Sequence, residues 1–200
     1  KMMAVARKYP KLILDLRGNG GGYVTVQKYL ASHFFPAKTK IMDMVTKEKT
    51  ESHFTDVLDK ERQYTGDVTV LIDSRSASAS EITAEMFRLE KRAKVMGDVS
   101  SGGVMTSIYV PFVNLMSMLS EVAMIRVGMS VTVADVIMRD GSRIEHVGVI
   151  PDQILQPTGL AIKLRMDAAL AYAAAEMGVT ISPVDAGKLD MFIRYEDDES

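Results

Sequence analysis

The chain has 200 residues, 24 of them basic and 26 acidic, for a formal net charge of −2. With 47% apolar and 25% charged residues it can bury a substantial core, which excludes a disordered chain, and its near-neutral balance leaves no electrostatic footprint for nucleic acid. The lack of cysteine excludes a disulfide framework, Cys-based zinc sites and a cysteine nucleophile, and no 18-residue apolar stretch is present to span a membrane.

In chain order, residues 2–8 are helix formers ended by Pro10. Residues 11–16 (KLILDL) are a short apolar run bounded by turn signals and read as a buried strand. Next comes Arg17-Gly18-Asn19-Gly20-Gly21-Gly22, with four glycines in five positions. Residues 23–35 hold Val26, Leu30 and Phe34 at helical spacing before Pro36, and 40–45 suit a strand. Residues 46–66 are polar and aperiodic, an exposed hairpin or loop. Residues 68–73 (VTVLID) read as a second buried strand and 74–80 as a serine/alanine turn. Residues 81–94 form an amphipathic helix through Ile82, Met86 and Leu89. Residues 94–97 are a short strand entering the loop 98–103, and 106–112 and 121–127 are strands with a Met-rich connection.

Residues 130–138, a turn at Asp140-Gly141, and 143–149 resemble a hairpin. Residues 160–177 form an Ala-rich helix with Gly178 as its stop, and 179–200 read as a loose tail. Alternating strands and helices predict an α/β fold with parallel elements. Lys1 opens directly on helix-like, mid-domain sequence without a signal peptide, so the chain is expected to begin inside its domain.

Four segments carry chemistry. The glycine loop can aim backbone N–H groups into a cleft, as for a phosphate or an oxyanion. It fails the phosphate patterns: Gly22 is followed by Tyr23-Val24 rather than Lys-Ser/Thr, and G-x-G-x-x-G breaks at Tyr23. The second segment, residues 74–81, puts serines on a strand-to-helix turn, a good nucleophile position. The same residues contain the capping box Ser78-Ala79-Ser80-Glu81, in which Ser78 only caps a helix. The third, GDVSSGG (97–103), is by itself a turn. In the fourth, 143–152, Glu145 and His146 are neighbours; on a strand they would point to opposite faces, against a shared acid/base role.

Taken together, LILDLRGNGGG (12–22), SASASEI (76–82) and GVIPD (148–152) resemble the tail-specific, or C-terminal-processing, serine protease family, which includes the tricorn core protease. The resemblance spans residues 11–152. It implies an α/β catalytic domain of the crotonase/Clp-protease-like β-β-α superhelix, at 1–178, with 179–200 as a C-terminal tail. It further implies an acyl-enzyme on Ser78, an oxyanion hole from the backbone N–H groups of Gly21 and Ala79, and no cofactor or metal. Ser78 is therefore expected to lie against the 20–22 loop. Peptide or protein substrates and a homo-oligomer are further implications, as are the upstream PDZ domain that many members carry and an exported location, as in most relatives, or the cytoplasmic one of tricorn-type enzymes.

One departure stands out. The family's Ser/Lys branch has a general-base lysine in a G-K-G context, and the matching position here is Gly103. Lys94 lies outside the motif. The tricorn-like branch lacks this lysine and uses an upstream histidine with a downstream glutamate. That implies a histidine before Lys1 and Glu145 as its support. The alternatives are a catalytically inactive peptide- or ligand-binding module of the same fold, or a crotonase-like acyl-CoA enzyme. His33 reads as a core or interface residue, His53 as solvated, and His146 as facing away from Glu145. The methionines at 105, 116, 118, 124, 129 and 138 fill core or line a groove. Arg17 pairs with Asp15 or a substrate carboxylate, and Asp73 holds the serine turn.

Overall fold

The computed structural model describes residues 2–111 and 128–189. In chain order its elements are α1 (Met2–Ala6), β1 (Lys11–Asp15), α2 (Val24–Ser32), β2 (Lys40–Val45), β3 (Thr50–Phe54), β4 (Asp67–Ile72), α3 (Ala79–Leu89) and β5 (Lys94–Gly97). There follow β6 (Thr106–Pro111), β7 (Gly128–Met138), β8 (Gln153–Ile154), α4 (Gly159–Lys163), α5 (Ala168–Glu176) and α6 (Pro183–Ala186).

Among the described residues, two four-stranded sheets organise the fold. One runs β1-β4-β5-β8 with every pairing parallel, and the other runs β3-β2-β7-β6 with every pairing antiparallel. Val70, Leu71 and Ile72 of β4 are all fully buried, because helices and the second sheet cover both faces of the parallel sheet. This explains why its strands read as continuous apolar runs. On one face, α3 inserts Ile82, Met86 and Phe87 into a core shared with Ile41, Met42, Val136 and Met138 of the antiparallel sheet. Phe87 meets Phe34 and Phe35 edge-on, with ring centroids 5.1 and 4.9 Å away. Truncating such a ring costs about 3–5 kcal/mol. On the other face, α5 and α6 cover Leu71 and Met96 with Leu170, Ala171, Ala173 and Ala186.

The structure corrects three expectations. Residues 143–149 are not a strand; β7 pairs instead with β2 and β6, and the chain turns through positive φ at His146 (60°) and Gly148 (76°). The helix expected over 160–177 is broken, because Asp167 caps α5 by accepting the Leu170 N–H at 2.8 Å and Arg165 turns through φ 52°. Part of the segment read as a loose tail is folded, since α6 buries Ala186 against α5. The aperiodic stretch 46–66, expected as an exposed hairpin or loop, contains β3 in a hairpin with β2, in line with that reading. The strand expected at 121–127 and Met116, Met118 and Met124 lie outside the described residues. Met138 is buried, while Met105 and Met129 are exposed.

Candidate active site

The loops following β1, β4 and β5 converge at the carboxyl end of the parallel sheet, where open α/β sheets gather their ligands. Asp73 ties two of them together. Its carboxylate accepts the Gly18 N–H (2.8 Å), the Arg75 N–H (3.0 Å) and the Ser76 hydroxyl (3.3 Å). Burial alone would raise this carboxyl. The hydrogen bonds from Gly18 and Arg75 and the Arg75 charge outweigh burial and hold it below the usual carboxylate range. Asp73 thus holds the serine turn as expected, and it anchors the glycine loop as well.

Ser78 is the N-cap residue of α3 and stands at φ 54°, ψ −122°, a conformation costly for any residue with a β-carbon. Its N–H donates to Glu81 Oε2 (2.9 Å) and lies 3.0 Å from the Gly103 carbonyl oxygen. The Glu81 half of the capping box and the strained backbone therefore coexist at Ser78, which is half-buried. The adjacent Ala79 N–H, at the first position of the helix, has no acceptor among the described residues. Gly21 packs directly on this turn at φ +102°, its missing β-carbon pointing at Ser78. The Asn19 carbonyl accepts the Ala77 N–H at 3.0 Å and locks loop to turn.

The Gly21 N–H, the expected oxyanion donor, donates to Asn19 Oδ1 at 2.9 Å. Donation to an oxyanion requires that amide side chain to turn away. Sequence reasoning passed over Asn19, although an asparagine two residues before a glycine is the local signal for such a turn.

Arg17 does not await a ligand. Its guanidinium bonds Asp15 at 2.6 Å and Asp167 at 2.7 Å. Burial alone would lower its pKa; the hydrogen bonds and charges of the two carboxylates more than reverse that. Asp167 was also missed, since it lay inside a continuous helical pattern. The clamp joins the root of the glycine loop to the start of α5.

Glu145 accepts the Val104 N–H (2.6 Å) and Met105 N–H (3.0 Å) through Oε2. The peptide unit linking Gly103 and Val104 therefore points its carbonyl at Ser78 and its N–H at Glu145. His146 does not face away: its Nε2 is 3.9 Å from Glu145 Oε1, because a turn replaces the expected strand, and its ring is largely exposed. Lys94 begins β5 and pairs with Glu176 at 3.0 Å, at the opposite end of the sheet from Ser78. His33 is buried against the Arg62 carbonyl (2.8 Å). His53 sits in β3 with its Nε2 buried, so it is not the solvated loop residue expected. Among the described residues no lysine or histidine hydrogen-bonds Ser78, and no cluster of His, Asp or Glu suits a metal. A cavity of about 770 Å³ opens beside the turn, lined in part by Arg17, Asp73, Leu155, Ile162 and Leu164.

The mixed α/β fold thus sets a strained serine on a strand-to-helix turn against a glycine loop. The sequence model of Peptidase family S41 matches residues 1–155, and the chain belongs to this family. A carboxyl-terminal-processing protease of Synechocystis sp. is 30% identical over 165 residues, covering 82% of this chain and 35% of that protein. This chain therefore spans about a third of that relative's length. The photosystem II D1 C-terminal processing protease superposes with a TM-score of 0.61 at 24% identity, over 78% of this chain and 37% of that one. The tricorn protease superposes with a TM-score of 0.55 at 20% identity, over 84% and 15%. The family expected from the motifs and the α/β fold are thus borne out.

Proposed function

We propose that the protein is a serine peptidase whose nucleophile is Ser78. The observation that carries this reading is the close approach of Gly21 to Ser78 at the start of α3, which sets a glycine loop against a serine turn whose Ala79 N–H has no acceptor among the described residues. In the reaction, Ser78 Oγ bonds to the scissile carbonyl carbon and its proton passes to a general base. The N–H groups of Ala79 and Gly21 receive the oxyanion, a contribution of several kcal/mol for two donors. The C–N bond then breaks, the base returns the proton to the leaving amine, and water hydrolyses the ester. The base is a histidine oriented by Glu145, following the tricorn-like pattern. A peptide substrate and an exported location follow the resemblance to tail-specific proteases, as do an upstream PDZ domain and assembly into a homo-oligomer. The unit 1–178 carries the site.

Fluorophosphonate labelling of the full-length protein tests the reading. Adduct formation on Ser78 that disappears in Ser78→Ala supports it. No labelling together with no peptide cleavage overturns it in favour of a binding module. Tight acyl-CoA binding without labelling favours the crotonase-like alternative.

A further inference from the structure

The chain has three histidines. His33 is buried against a carbonyl and His53 sits in β3, so only His146 stands beside the residues that hold Ser78. Its main-chain N–H donates to the Gly102 carbonyl at 2.7 Å, and the next carbonyl, that of Gly103, accepts the Ser78 N–H at 3.0 Å. His146 and Ser78 thus flank one dipeptide, their main-chain nitrogens no more than about 11 Å apart. Glu81 fixes that dipeptide to the serine turn: it accepts the Ser100 hydroxyl and the Gly102 N–H (both 2.6 Å) and the Gly103 N–H (3.0 Å). The dipeptide has no side chains of its own. A β-carbon on Gly103 would meet only Ser101 Oγ, at 3.7 Å, so the space over it is open among the described residues.

Two further observations single out this histidine. It turns at φ 60°, a conformation that is costly with a β-carbon and that gathers at functional sites. Gly148 takes the same region two residues on, at 76°. Yet the His146 ring makes no hydrogen bond among the described residues and is 88% exposed, so no bond of the fold offsets that strain. The second observation is Glu145. Its Oε2 accepts the Val104 and Met105 N–H groups, while its Oε1 accepts no hydrogen bond among the described residues and lies 3.9 Å from His146 Nε2.

We propose that His146 is the general base for Ser78 and Glu145 the carboxylate that orients it. The ring swings from solvent over Gly103. One ring nitrogen then takes the Ser78 proton, directly or through one water, and the other donates its N–H to Glu145 Oε1. As Oγ bonds to the scissile carbonyl carbon, the proton moves to the ring; as the C–N bond breaks, the ring returns it to the leaving amine. The proposal rests on the peptidase reading above. It places the required histidine in this chain, on the residue next to Glu145, and not in an upstream segment.

The test uses the full-length protein and follows fluorophosphonate labelling of Ser78. Glycine accepts φ 60°, so His146→Gly leaves the backbone in place. Its labelling rate is expected to fall about a hundredfold, and added imidazole should raise it again about tenfold. Asparagine tolerates the same backbone region but is no base. His146→Asn should show the same loss with a smaller rescue, and it carries the test if the glycine variant does not fold. His53→Asn should keep the wild-type rate on its folded fraction. A wild type that labels, with folded His146 variants labelling at the same rate, overturns the assignment and leaves the peptidase reading intact, with the base upstream. A loss that imidazole does not reverse makes the role of His146 structural and overturns the assignment too. A wild type that neither labels nor cleaves peptide overturns the peptidase reading itself, and the base with it.

Discussion

Gly21 touches Ser78 so closely that no side chain fits between them: a β-carbon at position 21 would lie 2.6 Å from Ser78 Cβ and 2.9 Å from the Ala77 carbonyl oxygen. Gly21→Ala is therefore expected to abolish labelling of Ser78. It should also destabilise the fold by about 3 kcal/mol, from overlap and from φ +102° together. Gly22→Ala meets nothing within 4 Å and should cost under about 1 kcal/mol. Chemical denaturation of the pair, with labelling alongside, checks both values.

The strain at Ser78 has its own signature. Ser78→Ala and Ser78→Gly both remove the hydroxyl, but only glycine accepts φ 54° without cost. The glycine variant should be the more stable by about 1 kcal/mol after its greater chain entropy is counted, or about 2–4 °C in Tm. Equal melting temperatures would show that the backbone there is relaxed.

The parallel strands were legible because burial on both faces writes an uninterrupted apolar run, as in β4. The loops were legible as motifs, and Ser78 and Gly21 do meet. What a one-dimensional pattern could not show was partnership across the sequence. Asp167 looked like one more helical position until Arg17, 150 residues away, gave it a reason to start a new helix. Glu81 looked like a cap because its three other donors lie about 20 residues downstream. The Glu145–His146 geometry was misjudged because alternation was assumed where the chain turns.

Arg17→Lys tests the clamp. A lysine cannot serve both carboxylates bidentately, and Asp15 and Asp167, with only 8% and 20% of their side chains exposed, lose their shared partner. A destabilisation of about 3 kcal/mol is expected, read as a lower urea midpoint with an unchanged slope.

Acid should loosen the same region. Asp73 and Asp167 are both held below the ordinary carboxylate range. In each, burial pushes the pKa up, and hydrogen bonds with nearby arginine charge push it further down. Groups depressed on folding add stability that is present above their unfolded value of about 3.9 and is lost as pH falls through the folded value. Stability should therefore fall below about pH 4. Asp73→Asn and Asp167→Asn should each flatten that acid limb in melting curves taken from pH 6 to pH 2. A limb equally steep in both variants would assign the acid sensitivity elsewhere.

Gly103 has room for more than hydrogen. A β-carbon there meets only Ser101 Oγ, at 3.7 Å, and its carbonyl already bonds the Ser78 N–H. Gly103→Lys is expected to raise the Ser78 labelling rate about tenfold or more, short of the roughly hundredfold or greater contribution of a fully positioned base. The gain should grow as pH rises and the introduced amine loses its proton.

The Arg17–Asp167 contact also bears on time. Synthesis runs from the amino end, so the glycine loop is made long before the carboxylate that completes its anchor. While the ribosome is still adding the last third of the chain, Arg17 has only Asp15 to hold it. The serine turn thus emerges beside a loop that is not yet fully clamped. Assembly of this corner waits on α5, so a nascent or prematurely terminated chain lacks the finished pocket.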